Sequence, residues 1–347
     1  MPQSYAVPVG STERIRSRRK LTTVIVPLLA LVLAAAAVLW ASTYRSAPQQ
    51  EPLTLATGLN GGVYYELGQA LEGLTQDSEV PLAAQESAAS QVNVEMIVSG
   101  EVDAGFSTSD VAALAARGEP PFDRPLPIRA VGRMYDQPLH LVVLADSEYQ
   151  RLTDLEDTTI SAGADGSGTR VAAERVLEVA GLEQGSDLED VSMDLAESVE
   201  ALEDGDIAAF FWSGGLPSQA VTELAERTPI RLIDLSEWAG PLAEQGQSFY
   251  EDVPVPVDTY PGVPGVRSIG VSSLLIVSTE LPDSTVESLT GDLFGSRADL
   301  VEVSPVIRQL HERSALNTQP VELHPGALEY YQRAKPAHRS AQRGHRG

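Results

Sequence analysis

The sequence predicts an α/β protein of two lobes with a cleft between them. Three observations carry this. The stretch Thr159–Gly181 reads as a short apolar strand, a turn holding Gly163, Gly166 and Gly168, and a helix with Ala172, Ala173, Val176, Leu177 and Ala180 on one face. Thr54–Leu74 repeats the layout, with Gly58, Gly61 and Gly62 in the turn and Leu67, Ala70, Leu71 and Leu74 on the helix face. The copies also share one offset: Gly58 to Gly163 is 105 residues (163 − 58), and Gly100 to Gly205 is again 105 (205 − 100). That period exceeds the roughly 20–50 residues of stacked repeats, so the copies read as lobes.

Each glycine turn lets the backbone approach a ligand with no Cβ in the way. The helix that follows aims unpaired N–H groups and a positive dipole end at whatever lies in front, which favours a carboxylate or phosphate. Neither turn is a nucleotide loop. A P-loop needs Gly-Lys-Ser/Thr where this chain has Gly168-Thr169-Arg170, and the G-x-G-x-x-G spacing is absent. One such turn alone is equally a plain strand-to-helix connection; the second copy favours a paired site.

Taken in order, the chain of 347 residues opens on a targeting signal. Arg14, Arg16, Arg18, Arg19 and Lys20 precede the apolar run Leu21–Ala41, and about 20 such residues cross a bilayer. The basic cluster stays in the cytoplasm, so the remainder is exported. The run exceeds the roughly 7–15 apolar residues of a cleaved signal peptide, the competing reading. The expected layout is a cytoplasmic segment (1–20), a transmembrane anchor (21–42) and a tether (43–52). Lobe one takes 53–140 plus 264–334, lobe two 141–263, and a disordered basic tail 335–347. The protein is then a single-pass cell-membrane protein with its main domain extracytoplasmic.

In lobe one, strands are expected at Val80–Ala84 and Asp103–Phe106. Residues 107–110 cap a helix through Ala116, and Gly118–Pro127 is a proline-rich loop. Arg129–Tyr135 and Leu139–Ala145 read as two strands, the second crossing into lobe two. There Leu152–Leu155 forms a short turn, Glu183–Asp190 an acidic connector and Ala196–Leu202 a helix. Ala208–Trp212 and Ile230–Leu235 are strands, with a helix at Gln219–Glu226 between them. Tyr250–Val266 is an extended return arm, and Ser268–Val277 the strand that re-enters lobe one. Helices at Ser284–Leu293, Pro305–Ser314 and Leu323–Tyr331 close the domain.

Composition narrows the function. Asp plus Glu number 49 against 24 Lys plus Arg, for a net charge of −25, which repels nucleic acid. With no cysteine, disulfides, thiolate metal sites and a lipid-modified cysteine are excluded. The five histidines fall in no H-E-x-x-H or H-x-x-x-H spacing, and no serine sits in G-x-S-x-G. No enzyme, metal or cofactor is expected.

Several stretches, in order, resemble one family. They are GLNGGVYY at 58–65, ASQVN at 89–93, SGEVDAGF at 99–106, GSGTR at 166–170 and FFWSGGLP at 210–217. Together they are similar to the TAXI family of solute receptors, the extracytoplasmic partners of one class of TRAP transporters. The resemblance covers roughly residues 53 to 310, as judged from a single sequence. It implies a two-lobed periplasmic-binding-protein fold of the second type, with a hinge and an interlobe cleft. It also implies capture of a small organic anion, an amino acid such as glutamate or a dicarboxylate, by a monomeric receptor. A TRAP-type permease would then receive the solute. The spanning anchor departs from the usual family form, so a tethered sensor or scaffold without a transport partner stands as the alternative.

On the motif match and on physics, the N–H groups of Gly61 and Gly62 and of Gly166, Ser167, Gly168 and Thr169 would hold carboxylates. The Ser167 and Thr169 hydroxyls would assist. Tyr64 would stand at the mouth of the first turn; a core tyrosine is the plainer reading. Ser90 and Asn93 would add polar contacts, or cap a helix. Trp212 and Ser213 would wall the ligand, or pack between strands. Arg133 and Arg170 are candidates to pair an acid, or to form surface ion pairs. Asp110 would receive an ammonium group or cap its helix.

Overall fold

This computed structural model describes residues 34–36, 51–247 and 249–344, with the side chains of the last helix described to residue 334. The chain divides between Glu51 and Pro52, and the second unit carries every strand described. The expected cytoplasmic segment, anchor and tether lie outside the described residues, save for residues 34–36, which are helical, and 51–52. Among the described residues, no helix is long and apolar enough to cross a membrane.

The second unit is built from two copies of one βαβαβα pattern. The first runs β1 (Leu53–Ala56), α1 (Val63–Leu74), β2 (Leu82–Gln85), α2 (Ser90–Ser99), β3 (Ala104–Thr108) and α3 (Ser109–Arg117). A 17-residue strand, β4 (Ile128–Leu144), leads to the second copy. That copy runs β5 (Thr159–Ser161), α4 (Gly168–Ala180), β6 (Glu189–Val191), α5 (Leu195–Asp204), β7 (Ala209–Ser213) and α6 (Gln219–Arg227). Then follow β8 (Ile230–Leu232), α7 (Ala239–Glu244), β9 (Glu251–Val255), the long β10 (Val266–Ser278), α8 (Asp283–Gly295), α9 (Arg297–Val303) and α10 (Pro325–Gly344).

The 105-residue offset is a structural repeat. Leu55 pairs with Ala104 between β1 and β3, and Ile160 with Ala209 between β5 and β7; both members shift by 105 (160 − 55, 209 − 104). Each copy has its first strand between the other two, all parallel, in the sheet order β2-β1-β3-β10-β4-β7-β5-β6. Gly100 and Gly205 owe their match to helix termination. They end α2 and α5 with φ of +77° and +78°, a conformation that favours glycine.

The chain crosses between copies on β4 and β10, which pair antiparallel in the centre. The two strands expected at 129–135 and 139–145 are one. β4 pairs with β10 as far as Pro138 and with β7 from Leu139, so the proline sits where the strand changes partner. Period-two alternation places the cores. On β10, Leu275 and Val277 join the cluster around Tyr64, Phe106 and Tyr135, while Leu274 and Ile276 face that around Val94, Val111 and Ile128. In the second copy, Leu141, Val143 and Phe211 enter one core, and Val142 and Phe210 the opposite one.

Some local expectations change. Glu189 and Asp190 at the end of the acidic connector form β6 with Val191, and β9 lies on the proline-rich arm. The helix expected at 305–314 is a short 3-10 turn, Pro305–Gln309, with α9 before it. α10 continues through Gly344, past the point where a disordered tail begins in the sequence reading.

Candidate ligand-binding site

Both glycine turns end at helix N-termini that face one cavity of about 70 Å³. α1 is capped by Gly62, which has no side chain to satisfy the first turn; the first intrahelical bond is Glu66 N–H to Gly62 O (3.2 Å). The N–H groups of Val63 and Tyr64 precede it. Across the cavity, α4 is capped by Ser167, whose Oγ accepts from Arg170 N–H (3.1 Å). The first intrahelical bond there is Val171 N–H to Ser167 O (3.3 Å), so the N–H groups of Gly168 and Thr169 precede it. Gly62 and Ser167 are again 105 apart (167 − 62).

Two buried hydroxyls line the same cavity. Thr108 Oγ1 and Ser213 Oγ make no hydrogen bond of good geometry among the described residues, and the Thr108 hydroxyl stands near enough to the Asp110 carboxylate to favour its charged form. Thr108 is 2% exposed and Ser213 8%, so water does not solvate them freely. They end β3 and β7 and are 105 residues apart (213 − 108). An unsatisfied buried hydroxyl costs about 1–3 kcal/mol, and this pair, matched across the repeat, belongs to two residues that border the cavity. Both stand beside α4. A Cβ placed on Gly168 would lie 2.7 Å from Thr108 Oγ1, and Ser213 N–H donates to Thr169 Oγ1 (3.1 Å). Ala89, another lining residue, has φ +74° and ψ −148°, a strained conformation for a residue with a Cβ.

The halves touch around this space. Gln91 and Val92 at the start of α2 both donate to Gly166 O (3.1 and 3.3 Å). Tyr250 Oη donates to Asp110 Oδ2 (2.7 Å), wholly buried. A Cβ on Gly62 would lie 3.6 Å from the Trp212 ring.

The cavity brings together Gly62, Tyr64, Ser90, Ser167, Gly168, Thr169, Trp212 and Ser213. Gly61, Asn93, Arg133 and Gly166 do not line it. Asn93 is fully buried and donates to Thr57 O (2.8 Å) and Phe106 O (2.7 Å). Arg133 pairs with Asp136 and donates to Ser272 Oγ (2.6 Å). Gly166 presents its carbonyl to α2 and borders an outer groove. Arg170 borders the same groove and pairs with Asp165, Glu174 and Asp190. Asp110 is engaged by Tyr250 and by Val111 N–H (2.8 Å), and burial pushes its pKa up. Tyr64 belongs to the core of the first copy, stacked on Phe106 at 5.0 Å, with its hydroxyl accepting from Gln137 Nε2 (2.6 Å). Ser90 Oγ accepts from Thr108 N–H (3.1 Å).

Sequence reasoning missed Thr108, Gln137 and Asp194 as lining residues. The offset could have found two of them, because Thr108 is the counterpart of Ser213 and Asp194 that of Ala89. Gln137 lies on the crossing strand, outside the repeat, and carries no such signal.

Trp212 is held from behind. Its Nε1 donates to Ser218 Oγ (2.8 Å), and Ser218 N–H donates to Tyr260 Oη (3.2 Å). Tyr260 Oη lies 2.9 Å from His140 Nε2, while His140 Nδ1 faces the carbonyls of Pro138 and Trp212. Two acceptors at Nδ1 place the proton there, so Nε2 accepts from Tyr260. Burial lowers the His140 pKa from 6.5 to about 4. A lowered folded-state pKa means stability is fully present above about pH 6.5 and drains as pH falls toward 4. From pH 6.5 to pH 5 the loss from this group is about 2 kcal/mol. Urea melts of the wild type and His140→Gln at both pH values check this. The wild type should lose more stability on acidification by that margin, and equal losses would contradict it.

Three solved structures align with most of this chain. A solved protein from Bordetella bronchiseptica RB50 shares the fold with TM-score 0.50 at 16% identity, over 81% of this chain and 88% of that one. The periplasmic aliphatic sulphonate binding protein SsuA from Escherichia coli aligns with TM-score 0.44 and 15% identity, over 82% and 83%. The substrate binding protein of an amino acid ABC transporter aligns with TM-score 0.46 and 12% identity, over 74% and 97%. The NMT1-like family model matches residues 55–334, and the chain belongs to that family.

Proposed function

We propose that the protein is an extracytoplasmic solute receptor that closes its two lobes on a small organic anion and performs no chemistry on it. The lobes are 53–140 plus 264–334 and 141–263, and β4 and β10 are the hinge. The observation that carries the reading is the cavity between the glycine turns. The N-termini of α1 and α4 border it, and beside it stand two buried hydroxyls without a hydrogen bond of good geometry. Such a space suits a carboxylate, because helix ends favour negative charge.

In the finer reading, the receptor is of the TAXI kind and delivers its solute to a TRAP-type permease. It acts as a monomer held at the cell membrane by the apolar run 21–41. The ordered motifs support the receptor type, and the basic cluster before the run supports the orientation.

A thermal-shift screen of the full chain against amino acids, hydroxy acids and dicarboxylates tests the reading. A ligand at 100 times its Kd stabilises by about 2.7 kcal/mol. For a domain this size that raises Tm by roughly 5–10 °C. A uniform absence of shift across the acidic, neutral and aromatic members would refute it.

A further inference from the structure

We infer that the ligand is a small α-amino acid with no second negative charge, its carboxylate held by the paired helix ends and its ammonium by Asp194. The inference rests on the receptor reading and narrows its substrate.

Among the lining residues there is no arginine, lysine or histidine, and Asp194 is the one charged side chain. An anion here is held by main-chain dipoles and hydroxyls, which offset one carboxylate at α1 and α4. A second carboxylate would find no cation and would face Asp194. Dicarboxylates and acidic amino acids are therefore disfavoured.

Asp194 breaks the symmetry of the two copies. Its counterpart is Ala89 (194 − 89 = 105), so a carboxylate stands on one side of the cavity and a methyl group on the other. Asp194 Oδ1 accepts from Glu197 N–H (2.8 Å) as the cap of α5, and Glu197 returns a bond to Asp194 N–H (2.9 Å). No described hydrogen bond uses Oδ2, which remains to receive a positive donor. Thr108 Oγ1 and Ser213 Oγ, without a hydrogen bond of good geometry, accept or donate to the same guest.

Calorimetry of the full chain with L-alanine, L-lactate, L-glutamate and succinate tests the inference, with Asp194→Asn as the variant. Asparagine caps a helix as well as aspartate does, so the fold is kept. L-alanine is expected to bind at least tenfold tighter than L-glutamate or succinate. Asp194→Asn should weaken L-alanine at least tenfold and change L-lactate, which has no ammonium, less than threefold. Tighter binding of succinate or L-glutamate, or unchanged alanine affinity in Asp194→Asn, overturns the substrate assignment and leaves the receptor reading standing. No binding by any of the four, together with a silent thermal-shift screen, overturns both.

Discussion

Replacing Gly168 with valine should weaken solute binding at least about 100-fold, a loss near 2.7 kcal/mol, in a protein that still folds. Gly168 begins α4 and lines the cavity. A Cβ there would lie 2.6 Å from Ser90 Oγ and 2.7 and 3.0 Å from Thr108 Oγ1 and Cγ2. Real Cβ atoms do not approach so closely. Ser90 and Thr108 belong to the other copy, are buried and have short side chains with little freedom to move aside. On the proposed closure of two lobes, the clash falls on closure rather than on folding within either lobe. No positive φ holds Gly168, so its backbone accepts a side chain in the open form. Circular dichroism and the ligand-free Tm should stay near the wild type while calorimetric binding disappears. Wild-type affinity in a folded Gly168→Val protein would show that α4 does not close on the ligand through this contact.

Replacing Asn93 with alanine should act in the opposite sense, on stability alone. The side-chain amide donates to Thr57 O and Phe106 O, and its oxygen accepts from Ser87 Oγ. The two carbonyl bonds, at full burial, tie the ends of β1 and β3 to α2, while Ser87 is half-buried. Truncation removes the amide donor from both carbonyls, of which Thr57 O keeps a bond from Ser87 Oγ (3.3 Å), and removes the acceptor of the Ser87 hydroxyl. At about 1–3 kcal/mol for each unsatisfied group, partly relieved by relaxation, the expected loss is about 3 kcal/mol. That corresponds to a Tm drop of roughly 6–12 °C. Ligand affinity of the folded fraction should change less than about threefold, or 0.7 kcal/mol. A variant of undiminished stability with a tenfold loss of affinity would return Asn93 to the binding site.

These two residues mark how far the site was legible in the sequence. The glycine turns and the shared offset pointed to Gly62, Ser167, Gly168 and Thr169, because backbone approach to a ligand leaves a composition signal. Trp212 and Ser213 were legible as the end of a strand beside a second glycine pair. Asn93 carried the right chemistry for a ligand contact, but its burial depends on how β1, β3 and α2 meet, which no local pattern records. Arg133 likewise had the right charge; Asp136, three residues on, takes it. The fold was legible where a strand is a run buried on both faces, as in β3, β7 and β10. β6 was missed because Glu189, Asp190 and Val191 form a polar edge strand, which buries little and so shows no alternation. α7 was hidden by Gly240 and Pro241, residues that read as a loop.

The most direct measurement is a crystal structure of the full chain with the acid that gives the largest thermal shift. The account predicts its carboxylate between the two helix ends, about 2.7–3.2 Å from the main-chain N–H groups of Val63 and Tyr64 and of Gly168 and Thr169; the Gly62 and Ser167 N–H groups, expected as donors, are taken by Leu59 O and Ala164 O. Thr108 Oγ1 and Ser213 Oγ would bond to the same molecule. A ligand bound instead in the outer groove between α4 and Pro120–Pro121, with neither hydroxyl bonded to it, would contradict it.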